Sequence, residues 1–213
     1  MKKLQRGPAP ACLSQFTHGA NNWGDVFSAD KAQIWQELDA MQGQRCAYCE
    51  GSIGEGHRHI EHFRQKGRDP TLTFVWNNLF GSCNREESCG KYKDNCPDYP
   101  PAVLIKPDVE DPEHYFVFDP HGGISPRKGL NATDSHRAQE TIRIFNLNGS
   151  LRGIRRNQLK RHAKIAKEWA ELAGSGDDPE LMALIQQEIE QELAATAHLP
   201  FSTAIKHVLT RQC

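Results

Sequence analysis

The sequence predicts an α+β protein, in which a small core of two strands and one helix is preceded by an arm with a helix and followed by a helical region. Three observations support this fold class. Two cysteine pairs enclose residues 46–89, short apolar alternations typical of strands lie within and after that stretch, and apolar residues recur at helical spacing beyond residue 130. The chain divides into four predicted segments: an N-terminal arm and helix (1–45), the core (46–100), a β-hairpin scaffold (101–130) and a C-terminal helical region (131–213).

The length and charge of the chain limit the classes of protein to which it can belong. Its 213 residues suit one domain with an extension or two small domains. Because the net charge is only −1, contact with nucleic acid would depend on a local basic patch or on a partner. No apolar run approaches the length of a membrane span, and no apolar signal segment follows Met1-Lys2-Lys3. We therefore expect no membrane partner and a cytoplasmic location.

The cysteine pairs Cys46/Cys49 and Cys83/Cys89 have the chemistry of a zinc site. Thiolates at Cys-x-x-Cys spacing can bind one Zn²⁺ from a single turn, and a second pair completes a tetrahedron. The alternatives are disulfide pairs or buried small apolar residues. In a reducing cytoplasm, four clustered cysteines hold metal more often than each other, so we predict structural Zn²⁺. The remaining cysteines are interpreted as free thiols: Cys12, Cys96 and Cys213.

Between the cysteine pairs, Glu61 is followed directly by His62. Neighbouring side chains of a strand point to opposite faces, so these two can serve one site only where the strand bends into a loop. Residues 67–70 contain the glycine, aspartate and proline that predict such a loop. Residues 72–75 then alternate like a short second strand. The core is therefore expected to be a small ββα unit, for which a metal staple compensates a limited apolar interior.

Apolar spacing and turn signals predict the elements outside the core. Helical spacing dominates in the first and last segments, and Pro and Gly residues punctuate the region between them. The predicted elements are a helix capped by Asp30 and ended by Gly43, a strand at 102–105, a hairpin of 115–118 with 124–126, a helix capped by Asp134 and a long helix after Ser150.

Two charge runs of opposite sign occupy the C-terminal region. Seven basic residues lie between positions 152 and 167 with no acidic residue among them. An acidic run without basic residues then extends from Glu168 to Glu192, with Gly174-Ser175-Gly176 separating the two predicted helices. One interpretation is an antiparallel helical hairpin with complementary charges; the others are a nucleic-acid contact surface or a docking surface for a partner. The candidate nucleic-acid contacts are Lys93, Arg155, Arg156 and Lys160.

The motif order resembles that of a known nuclease family. Glu61-His62-Phe63, then Asn78-Leu79, then a cysteine-framed helix containing Lys93 together resemble HNH endonucleases, and more closely the PtuB-type HNH proteins of Septu and retron antiphage systems. The resemblance implies a zinc-stapled ββα-metal (HNH) nuclease core, in which the flanking cysteines are structural ligands. It also implies that His62 is the general base, that Glu61 helps to hold a catalytic divalent ion, Mg²⁺ or Mn²⁺, and that Asn78 orients His62.

One position departs from the family pattern. HNH proteins usually have a histidine or asparagine just after the last cysteine to complete the catalytic metal site, whereas this chain has Gly90. The third ligand is therefore open. Nearby oxygen and nitrogen donors could take its place, and we prefer Asp94 among them. The other candidates are Asn84, Asn95, His57 and His59.

The resemblance implies a function and its partners. The expected activity is metal-assisted hydrolysis of phosphodiester bonds in DNA or in a structured RNA such as tRNA, by the toxic effector of an antiphage complex. The expected partner is a PtuA-type ATPase, and a reverse transcriptase with a retron RNA–DNA hybrid is a further partner in this family. The chain has no Walker A pattern of its own. The alternative is a catalytically decayed zinc-binding assembly module that docks an ATPase or nucleic acid, with Gly90 as the sign of that decay.

Overall fold

The computed structural model describes residues 1–174 and 178–210. The predicted turn residues 175–177, and Cys213 among the predicted free thiols, lie outside the described residues. The described chain combines six α-helices with two small antiparallel sheets, which confirms the α+β class. In chain order the elements are α1 (Ser28–Gln42), β1 (Arg58–His62), β2 (Leu79–Cys83), α2 (Cys89–Asp94), β3 (Phe116–Phe118), β4 (Ile124–Pro126), α3 (Ala132–Ile144), α4 (Ser150–Ala173), α5 (Pro179–Thr196) and α6 (Ser202–Thr210).

The first helix begins slightly before the predicted cap. We expected Asp30 to precede the helix, but α1 begins at Ser28. The Asp30 carboxylate instead accepts a hydrogen bond of 3.2 Å from the Phe27 N–H, so it still stabilises the first turn. The helix ends at Gly43, as predicted, where a left-handed φ of 59° favours glycine. This turn passes the chain directly to the first cysteine pair.

The core contains two antiparallel strands followed by a short helix. Glu61 of β1 lies opposite Phe80 of β2, and His62 lies opposite Leu79. The helix α2 begins at Cys89, after the loop that leaves β2. This order of elements is consistent with the predicted ββα unit. The antiparallel register places the end of β1 beside the start of β2, and the end of β2 leads through a loop to the start of α2.

The second strand lies later in the chain than predicted. Residues 72–75 are not a strand, because a 3-10 turn at Pro70–Leu72 and another at Trp76–Asn78 surround them. The alternation at 72–75 has another cause: the Phe74 ring packs 5.4 Å from the Phe16 ring, between centroids, on the N-terminal arm. The apolar residues of this segment are therefore placed by packing against the arm, and their spacing in the sequence resembles that of a strand.

In the scaffold segment, one of the two predicted strand regions is confirmed. β3 and β4 form the predicted hairpin, with Val117 opposite Ser125. Residues 102–105 do not form a strand, since Pro101–Val103 is a 3-10 turn. Ile105 is buried there, and its backbone N–H donates to the Thr141 hydroxyl at 2.9 Å. The Thr141 hydroxyl accepts the hydrogen bond that a carbonyl of a neighbouring strand would otherwise accept.

The C-terminal region is helical, as predicted. Asn131, rather than Asp134, caps α3, because the Asn131 side chain accepts from the Asp134 N–H at 2.9 Å. The helices α4 and α5 pack as an antiparallel pair, in which Glu192 of α5 lies 3.1 Å from His162 and 3.8 Å from Arg161. This contact supports the complementary hairpin. Within the described ranges, no helix is both long and apolar enough to cross a membrane.

The main hydrophobic core draws on all four predicted segments. It includes Leu4, Phe80, Phe116, Leu159 and Ile205. The division of the chain into four segments stays a prediction. All four segments contribute to this core, and a second buried cluster joins the arm and α1 to Trp76 and Leu79. The C-terminal helices therefore cover one side of the core motif with apolar side chains. A unit of about fifty residues could not bury as much apolar surface by itself.

Candidate functional site

Four buried cysteine side chains converge where β2 ends and α2 begins. Cys83 is the last residue of β2, Cys89 is the first residue of α2, and Cys46 and Cys49 lie in the turn after α1. Their Sγ atoms all lie within 4.8 Å of one another. Thiolates at about 2.3 Å from a tetrahedral Zn²⁺ are about 3.8 Å apart. The four side chains therefore fit the predicted structural zinc.

Local backbone geometry explains how the widely spaced second pair reaches the first. Cys89 has a left-handed φ of 59°, and its N–H donates to the Phe145 carbonyl at 2.8 Å. The Ser82 hydroxyl lies 3.8 Å from Cys46 Sγ and accepts a hydrogen bond of 3.2 Å from the Gly90 N–H. Sequence analysis did not identify Ser82, because a serine before a cysteine carries no recognisable spacing. Ser82 links β2 to the start of α2 beside the four-cysteine cluster.

Glu61 and Lys93 form a buried ion pair between β1 and α2. Lys93 Nζ lies 2.6 Å from Glu61 Oε1, and the two side chains are 0% and 2% exposed. The ammonium also donates to the His62 carbonyl at 2.8 Å and to Asp94 Oδ1 at 2.9 Å. Burial alone would lower the pKa of Lys93, but the carboxylates of Glu61 and Asp94 outweigh burial and raise it. The prediction that Lys93 contacts nucleic acid is thus corrected, because its charge is enclosed and already paired.

Replacing Lys93 with methionine is expected to lower the free energy of unfolding by about 3–5 kcal/mol, because Glu61 would remain buried without a compensating charge. Urea unfolding of the zinc-loaded protein measures this change. Lys91→Ala on the same helix is the control, since Lys91 pairs with Glu86 at the surface and should change stability by about 0–1 kcal/mol. Equal stability of Lys93→Met and the wild type would contradict the structural role of the pair.

His62 leaves β1 on the face opposite to Glu61. Its Nε2 lies 3.0 Å from the Thr73 carbonyl oxygen, and its ring meets the Trp23 ring edge-on at 4.5 Å between centroids. A carbonyl only accepts, so Nε2 carries the hydrogen and Nδ1 keeps its lone pair. Burial, together with the nearby charge of Lys66, lowers the pKa of His62 to about 4. The imidazole is therefore neutral at neutral pH and can accept a proton through Nδ1.

Asn78 holds the loop that follows β1. Its Oδ1 accepts from the Arg64 N–H at 2.7 Å, and its Nδ2 donates to the Arg64 carbonyl at 3.0 Å and to the Leu72 carbonyl at 3.1 Å. Thr73, whose carbonyl binds His62, is the next residue after Leu72. Asn78 is thus placed to orient His62 through the loop backbone. The orienting role stays a prediction.

The surroundings of Glu61 include a histidine that sequence analysis left among several alternatives. His59 Nε2 lies 3.1 Å from Glu61 Oε2, and His59 Nδ1 lies 3.0 Å from Asn84 Oδ1. Burial lowers the pKa of His59, but its hydrogen bond to Glu61 outweighs burial and raises it. Glu61 Oε1 faces the Lys93 ammonium, and Asp94 is tied to Lys93 as well. Glu61 Oε2 lies beside the imidazole nitrogen of His59, and a carboxylate oxygen and an imidazole nitrogen are suitable ligands for a divalent cation.

Only some of the basic side chains of α4 are exposed to solvent. Arg155 is 1% exposed, and its guanidinium donates to the carbonyls of Gly122 and Leu147. This placement corrects the prediction that Arg155 contacts nucleic acid, because the side chain closes the interior between α4 and the β3–β4 hairpin. Arg156 and Lys160 are exposed and remain candidates for such a contact.

Two residues beside His62 were not identified from the sequence. Trp23 belongs to the N-terminal arm and Thr73 to the loop between the strands, so neither stands at a fixed spacing from His62. An indirect pattern in the sequence points to them. The N-terminal arm is rich in aromatic residues, which pack against apolar surface, and Trp23 packs on Phe74 in the strand-like run.

Comparison with known proteins supports the motif analysis. No family model matches the chain. A protein of Vibrio cholerae serotype O1 biovar El Tor, named "Retron Vc95 putative HNH endonuclease", is 32% identical over 150 residues, which cover 66% of this chain and 70% of that protein. "Septu protein PtuB" of Bacillus thuringiensis is 31% identical over 101 residues, which cover 46% of this chain but only 35% of that protein.

The four-cysteine cluster and the carboxylate–histidine pair at the end of β1 agree with the class named for the Vibrio cholerae relative, the HNH endonucleases. The chain belongs to the PtuB and retron-associated family of HNH endonucleases.

Proposed function

We propose that this chain is a metal-dependent endonuclease that hydrolyses phosphodiester bonds in nucleic acid, as the toxic effector of an antiphage defence system. The observation that carries the proposal is the state of His62: a neutral imidazole held through Nε2 by a backbone carbonyl, with the lone pair of Nδ1 free. Its neighbour Glu61 is a carboxylate fixed by a buried ion pair. The names of the two relatives agree with a nuclease and with antiphage defence.

In the proposed mechanism, each side chain has one task. His62 Nδ1 accepts a proton from the attacking water. The Thr73 carbonyl fixes the tautomer of His62, and Asn78 keeps the loop that carries Thr73 in position. Glu61 contributes an oxygen ligand for a divalent ion, Mg²⁺ or Mn²⁺. When bound, that ion would stabilise the negative charge that develops on the phosphate and the leaving oxygen.

The proposed substrate is DNA or a structured RNA such as tRNA. Because the net charge of the chain is −1, attraction of phosphates depends on local charge. Arg156 and Lys160, both exposed on α4, are the proposed contacts. Their neighbours on the same helix face provide further positive charge, including Arg152 beside His121 in a surface cavity of about 530 Å³.

The proposed partners follow the names of the relatives. A PtuA-type ATPase is proposed because the PtuB relative belongs to the Septu system. A reverse transcriptase with a retron RNA–DNA hybrid is proposed because the other relative belongs to a retron. The chain itself contains no Walker A motif, so hydrolysis of ATP would come from the partner. Since an unrestrained nuclease would damage its host, we expect these partners to limit the activity until infection.

Gly90 supports a second candidate function, a zinc-binding assembly module without catalysis. A Cβ at this position would lie 2.6 Å from Glu61 Cδ, so α2 offers no side-chain ligand at the place where the family usually has one. An assembly module would require only the structural zinc. The two functions therefore differ in their need for a second divalent ion.

A cleavage assay tests the proposed function. Zinc-loaded protein is incubated with plasmid DNA, single-stranded DNA or total tRNA, with Mg²⁺, with Mn²⁺ or with neither, and with and without the PtuA-type ATPase. We expect cleavage of at least one substrate that requires the added ion. Glu61→Gln, which keeps the shape but removes the charge, controls for contaminating nucleases and should lose the activity. No cleavage under any condition, with zinc bound and partners present, would favour the assembly module.

A further inference from the structure

We propose that His59 is the nitrogen ligand that joins Glu61 in holding the catalytic cation, in place of a ligand from α2. The inference rests on the proposed nuclease function and deepens it. It assigns the ligand pair as His59 Nε2 and Glu61 Oε2, with Asn84 as the residue that orients His59. It also predicts a cation that accepts nitrogen, such as Mn²⁺, in preference to Mg²⁺.

The geometry of β1 places His59 beside Glu61. Residues at positions i and i+2 of a strand point to the same face, so His59 and Glu61 project together toward α2. Their nearest atoms, Nε2 and Oε2, are 3.1 Å apart. Two ligands at about 2.1 Å from an octahedral ion, at a right angle to each other, are about 3.0 Å apart. The two atoms already have the spacing of adjacent ligands on one ion.

Asn84 fixes the orientation of the His59 ring and its neutral tautomer. Asn84 Nδ2 lies 3.4 Å from the Gly56 carbonyl oxygen, so the amide nitrogen faces that carbonyl and Oδ1 faces His59 Nδ1 at 3.0 Å. An amide oxygen accepts, which places the hydrogen of the neutral imidazole on Nδ1 and the lone pair on Nε2. When the imidazole is neutral, that lone pair faces Glu61 Oε2. In the ion-free chain a proton on Nε2 makes the hydrogen bond to Glu61 Oε2, and a bound cation would take the place of that proton. Histidine ligands of metals are oriented by this kind of partner.

Neither Gly90 nor Asp94 on α2 is placed to act as a ligand beside Glu61. Gly90 has no side chain, and a Cβ there would overlap the Glu61 carboxylate. Asp94 Oδ1 is 2.9 Å from Lys93 Nζ, so the ammonium, rather than an ion, lies between Asp94 and Glu61. Lys93 stands against Glu61 Oε1, which leaves Oε2 as the oxygen available to a cation.

The ligand set determines the class of cation. Imidazole nitrogen is a good ligand for first-row transition ions, whereas Mg²⁺ prefers an all-oxygen shell. His59 is partly exposed, with 25% of its side chain accessible, so an ion can reach it from solvent and keep water in its remaining positions.

The test measures Mn²⁺ binding directly, without substrate. Mn²⁺ is titrated into the zinc-loaded full chain, and free Mn²⁺ is followed by electron paramagnetic resonance. We expect one site that Mg²⁺ displaces only at a large excess. His59→Ala should weaken Mn²⁺ binding by at least about 100-fold, and Asn84→Ala by about 10- to 100-fold. The control His57→Ala, an exposed histidine two positions earlier, should bind Mn²⁺ like the wild type.

The outcomes separate this inference from the nuclease proposal. Unchanged Mn²⁺ affinity in His59→Ala would overturn the assignment, even if the protein cleaves nucleic acid. Loss of Mn²⁺ binding in Asp94→Ala but not in His59→Ala would move the ligand to α2. Binding that requires His59 in a chain that cleaves nothing would support the cation site and contradict only the nuclease function. Zinc content and thermal unfolding of each variant show whether it is folded.

Discussion

Replacing His62 with alanine is expected to slow cleavage of nucleic acid by about 10²- to 10⁴-fold, the usual contribution of a general base. The physical reason is that Nδ1 of His62 carries the free lone pair, while Nε2 is bound to the Thr73 carbonyl. Removing the ring leaves the attacking water without a proton acceptor. The rate of cleavage at saturating divalent ion measures the effect, and the zinc content should equal that of the wild type.

A second buried histidine provides a matched control for this variant. His162 on α4 is 4% exposed, against 6% for His62, and its Nδ1 contacts Glu192 away from β1. His162→Ala removes the same atoms from a comparably buried place, so it should cost stability but leave the cleavage rate within about twofold of the wild type when assayed below its unfolding temperature. Full activity of His62→Ala would contradict the assignment of His62 as the general base. Equal losses of activity in both variants would indicate a general effect of destabilisation.

Replacing Cys83 with serine is expected to release zinc and unfold the core. Apparent binding free energies of structural zinc are about 10–16 kcal/mol, whereas a whole domain is stabilised by only about 5–15 kcal/mol. Cys83 ends β2 and its thiol belongs to the four-cysteine cluster, so its loss separates β2 from the first cysteine pair. Zinc analysis of the purified protein and circular dichroism on heating measure the two parts of the prediction.

Cys96 offers the control for the zinc prediction. It is also buried, but its Sγ lies 3.5 Å from the Ile144 carbonyl oxygen and not in the cluster. A serine hydroxyl can make the same contact, so Cys96→Ser should keep its zinc and unfold within a few degrees of the wild type. If Cys83→Ser instead retained stoichiometric zinc and the wild-type unfolding temperature, the cluster would not be a structural zinc site.

Local patterns predicted some elements well and others poorly. The helix that ends at Gly43 and the hairpin of β3 and β4 were confirmed, because a left-handed glycine and a turn rich in glycine act within a few residues. The strands expected at 72–75 and 102–105 were wrong. In both places the apolar residues make contacts with distant parts of the chain instead of a strand partner: the alternating residues at 72–75 with the N-terminal arm, and the apolar run at 102–105 with Thr141 of α3.

The order of residues along the chain was sufficient to select the four cysteines that converge, and the family resemblance selected Glu61 and His62, whose catalytic roles stay predictions. Thiolate spacing and the carboxylate–histidine dipeptide are chemical requirements that do not depend on the rest of the fold. The cysteines then meet as expected, with their Sγ atoms within 4.8 Å of one another.

Only the tertiary structure decided what each charged side chain faces. From the sequence, Lys93 and Arg155 could equally have been surface cations, and His59 was one of several possible ligands. Folding encloses Lys93 against Glu61 Oε1, places the Arg155 guanidinium on backbone carbonyls and brings His59 Nε2 beside Glu61 Oε2. The reason is that burial and pairing of a charge depend on elements far apart in the chain, which meet only when the core forms.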